Sequence, residues 1–145
     1  MNGYVVDASV GAKWFVEEEH SLAAQTVVQS GKILRVPDLF YPEIGNVLWK
    51  KVQRRELEAS DAREAFACLI AFEGLQTTPS QMLTSYAMEL ALHHNCTVYD
   101  ALYLSLAIHT ESALVTADRK LVNNASNWFP KDQLIWIEDI LLIVA

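Results

Sequence analysis

The most informative segment of the sequence is Gly3-Tyr4-Val5-Val6-Asp7-Ala8-Ser9. Three apolar residues run directly into an aspartate, which is followed by a small residue and a hydroxyl. A short unbroken apolar run predicts a strand buried on both faces, as in the middle of a parallel sheet. Asp7 would then lie at the carboxyl end of that strand, the edge where open α/β sheets bind ligands. The remaining sequence decides whether other acidic residues reach the same edge.

The composition indicates a globular protein, since 52% of the 145 residues are hydrophobic and 20% are charged. We expect a single domain over residues 1–145. The sequence contains no apolar run long enough to cross a bilayer. Met1 precedes a predicted strand, and not the basic and apolar segments of a signal peptide. We therefore expect a cytoplasmic protein that does not contact a membrane.

Predicted strands alternate with predicted helices along the chain. The strands are expected at residues 4–6, 33–36, 75–77, 113–116 and 134–137. This alternation predicts an α/β fold: a three-layer α/β/α sandwich with a central, mainly parallel sheet. Two helices joined by residues 56–59 form an αα-hairpin that is more apolar than one buried face requires. One side of this hairpin is therefore expected to contact a partner.

Several local features carry more specific expectations. Asp38 or Tyr41 is expected to cap the third helix, and Thr78-Pro79-Ser80-Gln81 matches a capping box. The acidic triplet at residues 17–19 is expected to be a solvated turn. Cys68 and Cys96 belong to no CxxC pair, so we expect buried thiols, and neither a zinc site nor a disulfide.

Four acidic residues occupy related places in this pattern. Asp7 and Asp118 follow buried strands, Glu43 lies in the first turn of the third helix, and Asp100 opens a strongly apolar helix. Right-handed crossovers bring the carboxyl ends of parallel strands and the following helix starts to one edge. Each acid alone is equally well explained as a helix cap or first-turn residue, worth about 0.3–1 kcal/mol.

Four carboxylates in one cleft would repel one another and raise each other's pKa. A divalent cation would relieve that repulsion. Oxygen ligands without cysteine or histidine indicate Mg²⁺, with Mn²⁺ as an alternative. The net charge of −7 argues against a general nucleic-acid binder, although local charge matters more than the total. Basic side chains cluster at Arg119-Lys120 and on the third helix, at Lys50, Lys51, Arg54 and Arg55.

Four segments in order along the chain resemble the motifs of PIN-domain nucleases, and most closely the VapC toxins of bacterial and archaeal toxin–antitoxin pairs. The segments are Val6–Ser9, Pro42–Leu48, Tyr99–Ala107 and Leu114–Leu121. The resemblance covers essentially the whole chain. It implies a metal-dependent endoribonuclease that acts on RNA, forms a homodimer and binds a VapB-like antitoxin. The apolar αα-hairpin is then a reasonable place for the antitoxin contact, through Leu57, Phe66, Leu69, Ile70 and Phe72.

The resemblance also assigns roles to individual residues. Asp7, Glu43, Asp100 and Asp118 match the acidic quartet: Asp7, Asp100 and Asp118 would hold Mg²⁺, and Glu43 would orient or deprotonate a water. Ser9 matches the family's hydroxyl position, although capping the following helix explains it equally well, and Thr116 lies beside the last acid. Some relatives carry a further acid a few residues after Asp118, where this chain has Asn123 and Asn124. Apart from the resemblance, Arg119 and Lys120 are expected to hold the RNA backbone beside the acids. The basic cluster of the third helix has the same expected role, although an ordinary solvated helix surface explains that cluster equally well.

Other classes of protein fit less well. A haloacid-dehalogenase-type phosphatase needs a second acid where this chain has Ser9, and a phosphoacceptor receiver domain needs an acidic pair after the first strand. Two alternatives within the PIN fold stay open. One is a housekeeping RNA-processing nuclease, and the other is a catalytically inactive module that binds RNA or protein.

Overall fold

The computed structural model describes residues 2–144, with a five-stranded sheet at its centre. In chain order the strands are β1 (Gly3–Val6), β2 (Ile33–Pro37), β3 (Leu75–Thr78), β4 (Ala113–Thr116) and β5 (Leu134–Trp136). Their order in the sheet is β3-β2-β1-β4-β5, and every neighbouring pair is parallel. The parallel sheet predicted from the apolar runs is therefore confirmed.

Helices connect the strands and cover both faces of the sheet. They are α1 (Ala8–Gly11), α2 (Ser21–Gln29), α3 (Phe40–Gln53), α4 (Ala59–Ala71), α5 (Thr84–His94), α6 (Val98–Thr110), α7 (Arg119–Ala125) and α8 (Ile140–Val144). Helices α1 to α4 belong to the crossovers that lead to β2 and β3, whereas α5 to α7 lead to β4 and β5. Right-handed crossovers in opposite directions lie on opposite faces, which gives the predicted α/β/α sandwich.

The topological switch point of the sheet lies between β1 and β4. From β1 the chain moves to one side, towards β2, and from β4 it moves to the other side, towards β5. The crevice outside the carboxyl ends of two such strands is the usual ligand site of open α/β sheets. Asp7 directly follows β1, and Asp118 comes shortly after β4.

Helix α6 is the most buried helix, with every residue from 101 to 107 inside the core. It packs on β1, β2 and β4, so its first turn is held above the switch point. On the opposite face, α1 and α3 approach each other closely at Gly11, where an added Cβ would collide with the ring of Phe40. This close approach fixes α3, and with it Glu43, relative to the end of β1.

Several local expectations are wrong. The α3 helix has no side-chain cap, because the Asp38 carboxylate accepts a hydrogen bond from the Ser80 backbone N–H at 3.0 Å. The capping box is also absent: the Ser80 hydroxyl accepts from the Leu39 N–H at 3.2 Å, and α5 begins only at Thr84. Cys68 is exposed and not buried, whereas Cys96 is partly buried, and both thiols are free.

Among residues 2–144, none of the helices is both long enough and apolar enough to cross a membrane.

Candidate active site

The four predicted acids line one cavity of about 450 Å³ at the carboxyl edge of the sheet. Asp7 and Asp118 approach it from the ends of β1 and β4, while Glu43 and Asp100 approach it from the first turns of α3 and α6. The cavity lies at the topological switch point. The structure therefore brings together acids that are far apart in the sequence.

Asp7 is buried, with 5% of its surface exposed, and both of its oxygens accept hydrogen bonds. The Ser9 backbone N–H donates to Oδ1 at 3.0 Å, and the Ser9 hydroxyl donates to the same oxygen. The Thr116 hydroxyl donates to Oδ2 at 2.5 Å. Burial raises the pKa of Asp7 to about 6; the negative charge of Asp118 adds to the rise, and the hydrogen bonds from Ser9 and Thr116 oppose it.

The hydroxyls of Ser9 and Thr116 also connect the ends of β1 and β4. Ser9 Oγ accepts from the Ala117 N–H at 2.9 Å, and Thr116 Oγ1 accepts from the Asp118 N–H at 3.0 Å. Each hydroxyl thus donates to Asp7 and accepts from the segment that leads to Asp118. The two residues hold both strand ends, and both acids, in a fixed relation.

Glu43 receives a hydrogen bond that the sequence pattern did not reveal. The Tyr103 hydroxyl donates to Glu43 Oε1 at 2.5 Å, and Tyr103 also lines the cavity. Burial raises the pKa of Glu43, the charges of Asp100 and Asp118 raise it further, and the Tyr103 hydrogen bond opposes the rise. The available signal was spacing, because Tyr103 lies one helical turn after Asp100 on α6.

Asp100 and Asp118 differ in how they are held. The Asp118 carboxylate caps α7 through Oδ1, which accepts from the backbone N–H groups of Lys120 at 3.0 Å and Leu121 at 3.3 Å. The Thr97 hydroxyl caps α6 by accepting from the Asp100 backbone N–H at 3.0 Å. Burial and the nearby charge of Asp118 raise the pKa of Asp100, against a lowering contribution from Thr97.

The basic residues expected to contact RNA lie in different surroundings. Lys50 lines the acidic cavity, whereas Lys51 is ion-paired with Glu18. The Arg119 guanidinium lies over the Trp136 ring, 3.7 Å from its centroid. Arg119 and Lys120 are exposed beside Asp118, but their side chains do not line the cavity in the described part of the chain. Their RNA contact therefore stays a prediction.

Asn123 and Asn124 do not line the cavity either, as far as residues 2–144 show. The Asn124 amide donates to the His94 carbonyl at 3.0 Å and accepts from the Trp128 indole N–H at 2.9 Å. Asn123 is exposed on α7. Asn124 thus connects the ends of α5 and α7, and its contacts are those of a structural residue and not of a fifth acid.

The donor set suits a hard divalent cation in chemical type. Asp7, Glu43, Asp100 and Asp118 offer carboxylate oxygens, and the pKa of three of them is raised by burial together with a neighbouring negative charge. Within residues 2–144, no three His, Cys, Asp or Glu side chains already lie close enough to form a finished metal site. A bound divalent cation would offset the repulsion among these carboxylates.

The fold and the acidic cavity define a member of a known family. The model of the PIN domain family matches residues 4–127, and the chain belongs to this family. Its curated relatives are of the VapC type. It is 39% identical over 120 residues to Ribonuclease VapC3 of Pyrobaculum aerophilum, covering 81% of this chain and 90% of that protein. It is 31% identical over 125 residues to Ribonuclease VapC1 of Mycobacterium tuberculosis, covering 83% and 90%.

Solved structures support the fold. The crystal structure of PAE2754 from Pyrobaculum aerophilum aligns with a TM-score of 0.70 and 24% identity, covering 98% of this chain and 94% of that one. The crystal structure of Mycobacterium tuberculosis VapC20, described as a sarcin-ricin loop cleaving toxin, aligns with a TM-score of 0.67 and 15% identity, covering 89% and 98%. At these identities the likeness shows the shared fold alone.

Proposed function

We propose that this protein is a Mg²⁺-dependent endoribonuclease and the toxin of a toxin–antitoxin pair, acting in the cytoplasm. One observation carries the proposal: four acids from four separate segments line a single cavity at the switch point of a PIN-domain sheet. The relatives named as VapC ribonucleases support the same activity.

Each acid has a role in the proposed hydrolysis of a phosphodiester bond. Asp7, Asp100 and Asp118 would hold Mg²⁺, which when bound offsets charge on the phosphoryl oxygens and lowers the pKa of water. Glu43 accepts the proton of the attacking water, so that the oxygen can reach the phosphorus in line with the leaving group. Ser9 and Thr116 keep Asp7 oriented by donating to its two oxygens.

Lys50 gives the substrate phosphate a partner in an otherwise acidic cavity. Among the described residues that line the cavity, it is the only basic one. Glu43, Asn46 and Lys50 follow one another at helical spacing on α3, and all three line the same cavity. We propose that Lys50 neutralises a phosphate next to the bond that is cut, a contact of the kind that gives salt-dependent affinity.

The function is tested with the purified protein and single-stranded RNA oligonucleotides. We expect cleavage with Mg²⁺, no cleavage with EDTA, and restoration when excess Mg²⁺ is added. Asp100→Asn should abolish cleavage while the protein stays folded, because this change removes a charged metal ligand. Cleavage that persists in EDTA, or in the Asp100→Asn variant, would contradict the metal mechanism. RNA binding without any cleavage would indicate the inactive binding module.

The antitoxin contact is proposed in the groove between α3 and α4. This groove is lined mainly by apolar side chains, including Phe66 and Trp49, and Trp49 is 56% exposed. Part of the surface expected from the sequence is unsuitable, since Leu69 is buried and Phe72 packs against Trp14. Trp49→Ser should reduce co-purification with the protein of the adjacent upstream gene, whereas Leu22→Ser, at an exposed position outside the groove, should not. Equal co-purification of both variants would contradict this assignment.

We also propose that the chain forms a homodimer. Helix α5 and the turn before it carry exposed apolar side chains: Met82, Met88 and Leu92. Light scattering should give about twice the monomer mass, and Met88→Glu with Leu92→Glu should give the monomer. A wild-type monomer at about 100 μM would contradict the proposal.

A further inference from the structure

Tyr103 reaches the acidic cavity because of its place on α6. The helix begins at Val98, and Tyr103 lies three residues after Asp100, on the same side of the helix. The surrounding residues 101–107 are buried in the core. The rotation of α6 that directs Asp100 to the cavity therefore also directs the Tyr103 hydroxyl there.

The hydroxyl of Tyr103 is committed to Glu43. Tyr103 is 2% exposed, and its Oη donates to Glu43 Oε1 at 2.5 Å. Burial raises the pKa of Tyr103, and the neighbouring charge of Glu43 raises it further. The hydroxyl is therefore a permanent donor in the neutral pH range. It contacts the proposed base directly, from a different helix.

This contact constrains a side chain that otherwise has rotational freedom. The last torsion of a glutamate is broad, so the carboxylate plane of a half-buried Glu43 is not fixed by its own rotamer. A hydrogen bond from the hydroxyl of a buried ring fixes the position of Oε1. Oε2 then keeps a defined orientation, and within residues 2–144 it accepts no hydrogen bond from the protein.

We propose that Tyr103 is the positioning residue for Glu43: its hydroxyl holds one carboxylate oxygen so that the other is presented to the attacking water. This inference rests on the proposed ribonuclease function. The simpler explanation, that Glu43 merely satisfies the buried Tyr103 hydroxyl, predicts an effect on stability but none on the rate of chemistry. The two explanations are therefore separable by experiment.

Tyr103→Phe removes the hydroxyl and keeps the ring. With a single-stranded RNA oligonucleotide and Mg²⁺, we expect kcat to fall by about 10- to 100-fold, with KM within about twofold of wild type. Tyr4→Phe is the matched control, because Tyr4 is also buried, at 5% exposure, but lines a different cavity beside the start of β1. Its kcat should stay within about twofold. An unchanged kcat in a folded Tyr103→Phe protein would overturn the inference.

A double-mutant cycle tests whether Tyr103 acts through Glu43. Single-turnover rates with enzyme in excess measure the residual activity of Glu43→Ala. Adding Tyr103→Phe to that variant should change its rate by less than about twofold, since the group that Tyr103 positions is gone. If the two substitutions instead reduce the rate independently, Tyr103 acts on something other than Glu43.

A crystal structure of Tyr103→Phe supplies a readout that does not depend on activity. We expect the Glu43 carboxylate to adopt a new or mixed orientation while α3 and α6 stay in place. An unmoved, well-ordered carboxylate would overturn the inference, whatever the rates. Absence of RNA cleavage by the wild-type protein in Mg²⁺ would instead contradict the proposed function, so the two failures are distinguishable.

Discussion

Asp7→Asn should inactivate the protein and, without metal, make it more stable. Asp7 is buried, and burial together with the charge of Asp118 raises its pKa from 3.8 to about 6, against the hydrogen bonds from Ser9 and Thr116. A carboxyl with a raised pKa in the folded state binds its proton more tightly there than in the unfolded chain. Its ionisation above that pKa therefore destabilises the fold.

The size and the pH window of the effect follow from the same values. The difference between 3.8 and about 6, at about 1.36 kcal/mol per pKa unit, corresponds to roughly 3 kcal/mol. Below about pH 4 the carboxyl is protonated in both states, and the destabilisation is absent. It grows as the pH rises to about 6 and stays constant above that. Asp7→Asn should remove this destabilisation, and so raise the free energy of unfolding by up to roughly 3 kcal/mol.

The assay is urea unfolding of EDTA-treated protein at about pH 4.5 and about pH 7.5. The free energy of unfolding of Asp7→Asn should exceed that of wild type at the higher pH, and the gap should narrow at the lower one. Asp132→Asn, at an exposed position outside the acidic cavity, is the control and should change stability by less than about 0.5 kcal/mol. A less stable Asp7→Asn protein at about pH 7.5 would contradict this prediction, because the hydrogen bonds to Asp7 would then outweigh its burial.

Three further predictions concern residues around the site. Lys50→Ala should raise the Kd for RNA several-fold and lower the salt dependence of binding in a filter-binding assay, whereas Lys32→Ala, next to a different cavity, should do neither. Glu18→Gln should lower the free energy of unfolding by about 1 kcal/mol at neutral pH, measured by thermal unfolding. Burial raises the pKa of Glu18, but the hydrogen bonds from Lys51 and Lys13 outweigh burial, so the pKa is lowered. The partial exposure of this ion pair limits the stabilisation that it provides. This difference should disappear as the pH falls through the lowered pKa, and a constant difference would contradict the pairing. Asn124→Ala should lower the melting temperature but leave kcat of the folded protein unchanged, and a large loss of kcat would instead place Asn124 in the active site.

The delivery of the acids to one edge was predictable from the sequence because it depends on simple rules. Asp7 and Asp118 follow short apolar runs that read clearly as buried strands, and parallel strands with right-handed crossovers have only one carboxyl edge. Asp100 lies in the first turn of a helix that is apolar on nearly all sides, which predicts that the helix packs inside the core, as α6 does. These features are local in the sequence, and topology converts them into a site.

Features that depend on partners far along the chain were not predictable. Asp38 and Ser80 both have strong helix-capping tendencies, yet neither caps the helix that the sequence predicts. Instead, the Asp38 carboxylate accepts from the Ser80 N–H, and the Ser80 hydroxyl accepts from the Leu39 N–H. Glu18, expected in a solvated turn, pairs with Lys51 of α3. The Tyr103–Glu43 contact joins residues that are 60 positions apart. Helix-capping and turn propensities depend only on residues that are close in sequence. Contacts between residues far apart in sequence depend on how the elements pack, so propensities do not predict them.

The exposed position of Cys68 shows the same limit in a different way. Free cysteines are usually buried, and α4 is apolar enough that a core position seemed natural for Cys68. The helix buries only Ala65 and Leu69 fully, because one narrow side of it faces the core. The composition of a helix thus predicts that it packs, but not how wide its buried side is.

The proposed ribonuclease activity requires that the acidic cavity bind the divalent cation that supports RNA cleavage. A crystal structure of the protein soaked in MnCl₂, with anomalous diffraction measured near the manganese edge, tests this most directly. We expect an anomalous peak coordinated by Asp7, Asp100 and Asp118, directly or through water, and no such peak in Asp100→Asn crystals treated identically. A cavity without a peak at millimolar Mn²⁺, or a peak that is unchanged in Asp100→Asn, would contradict it.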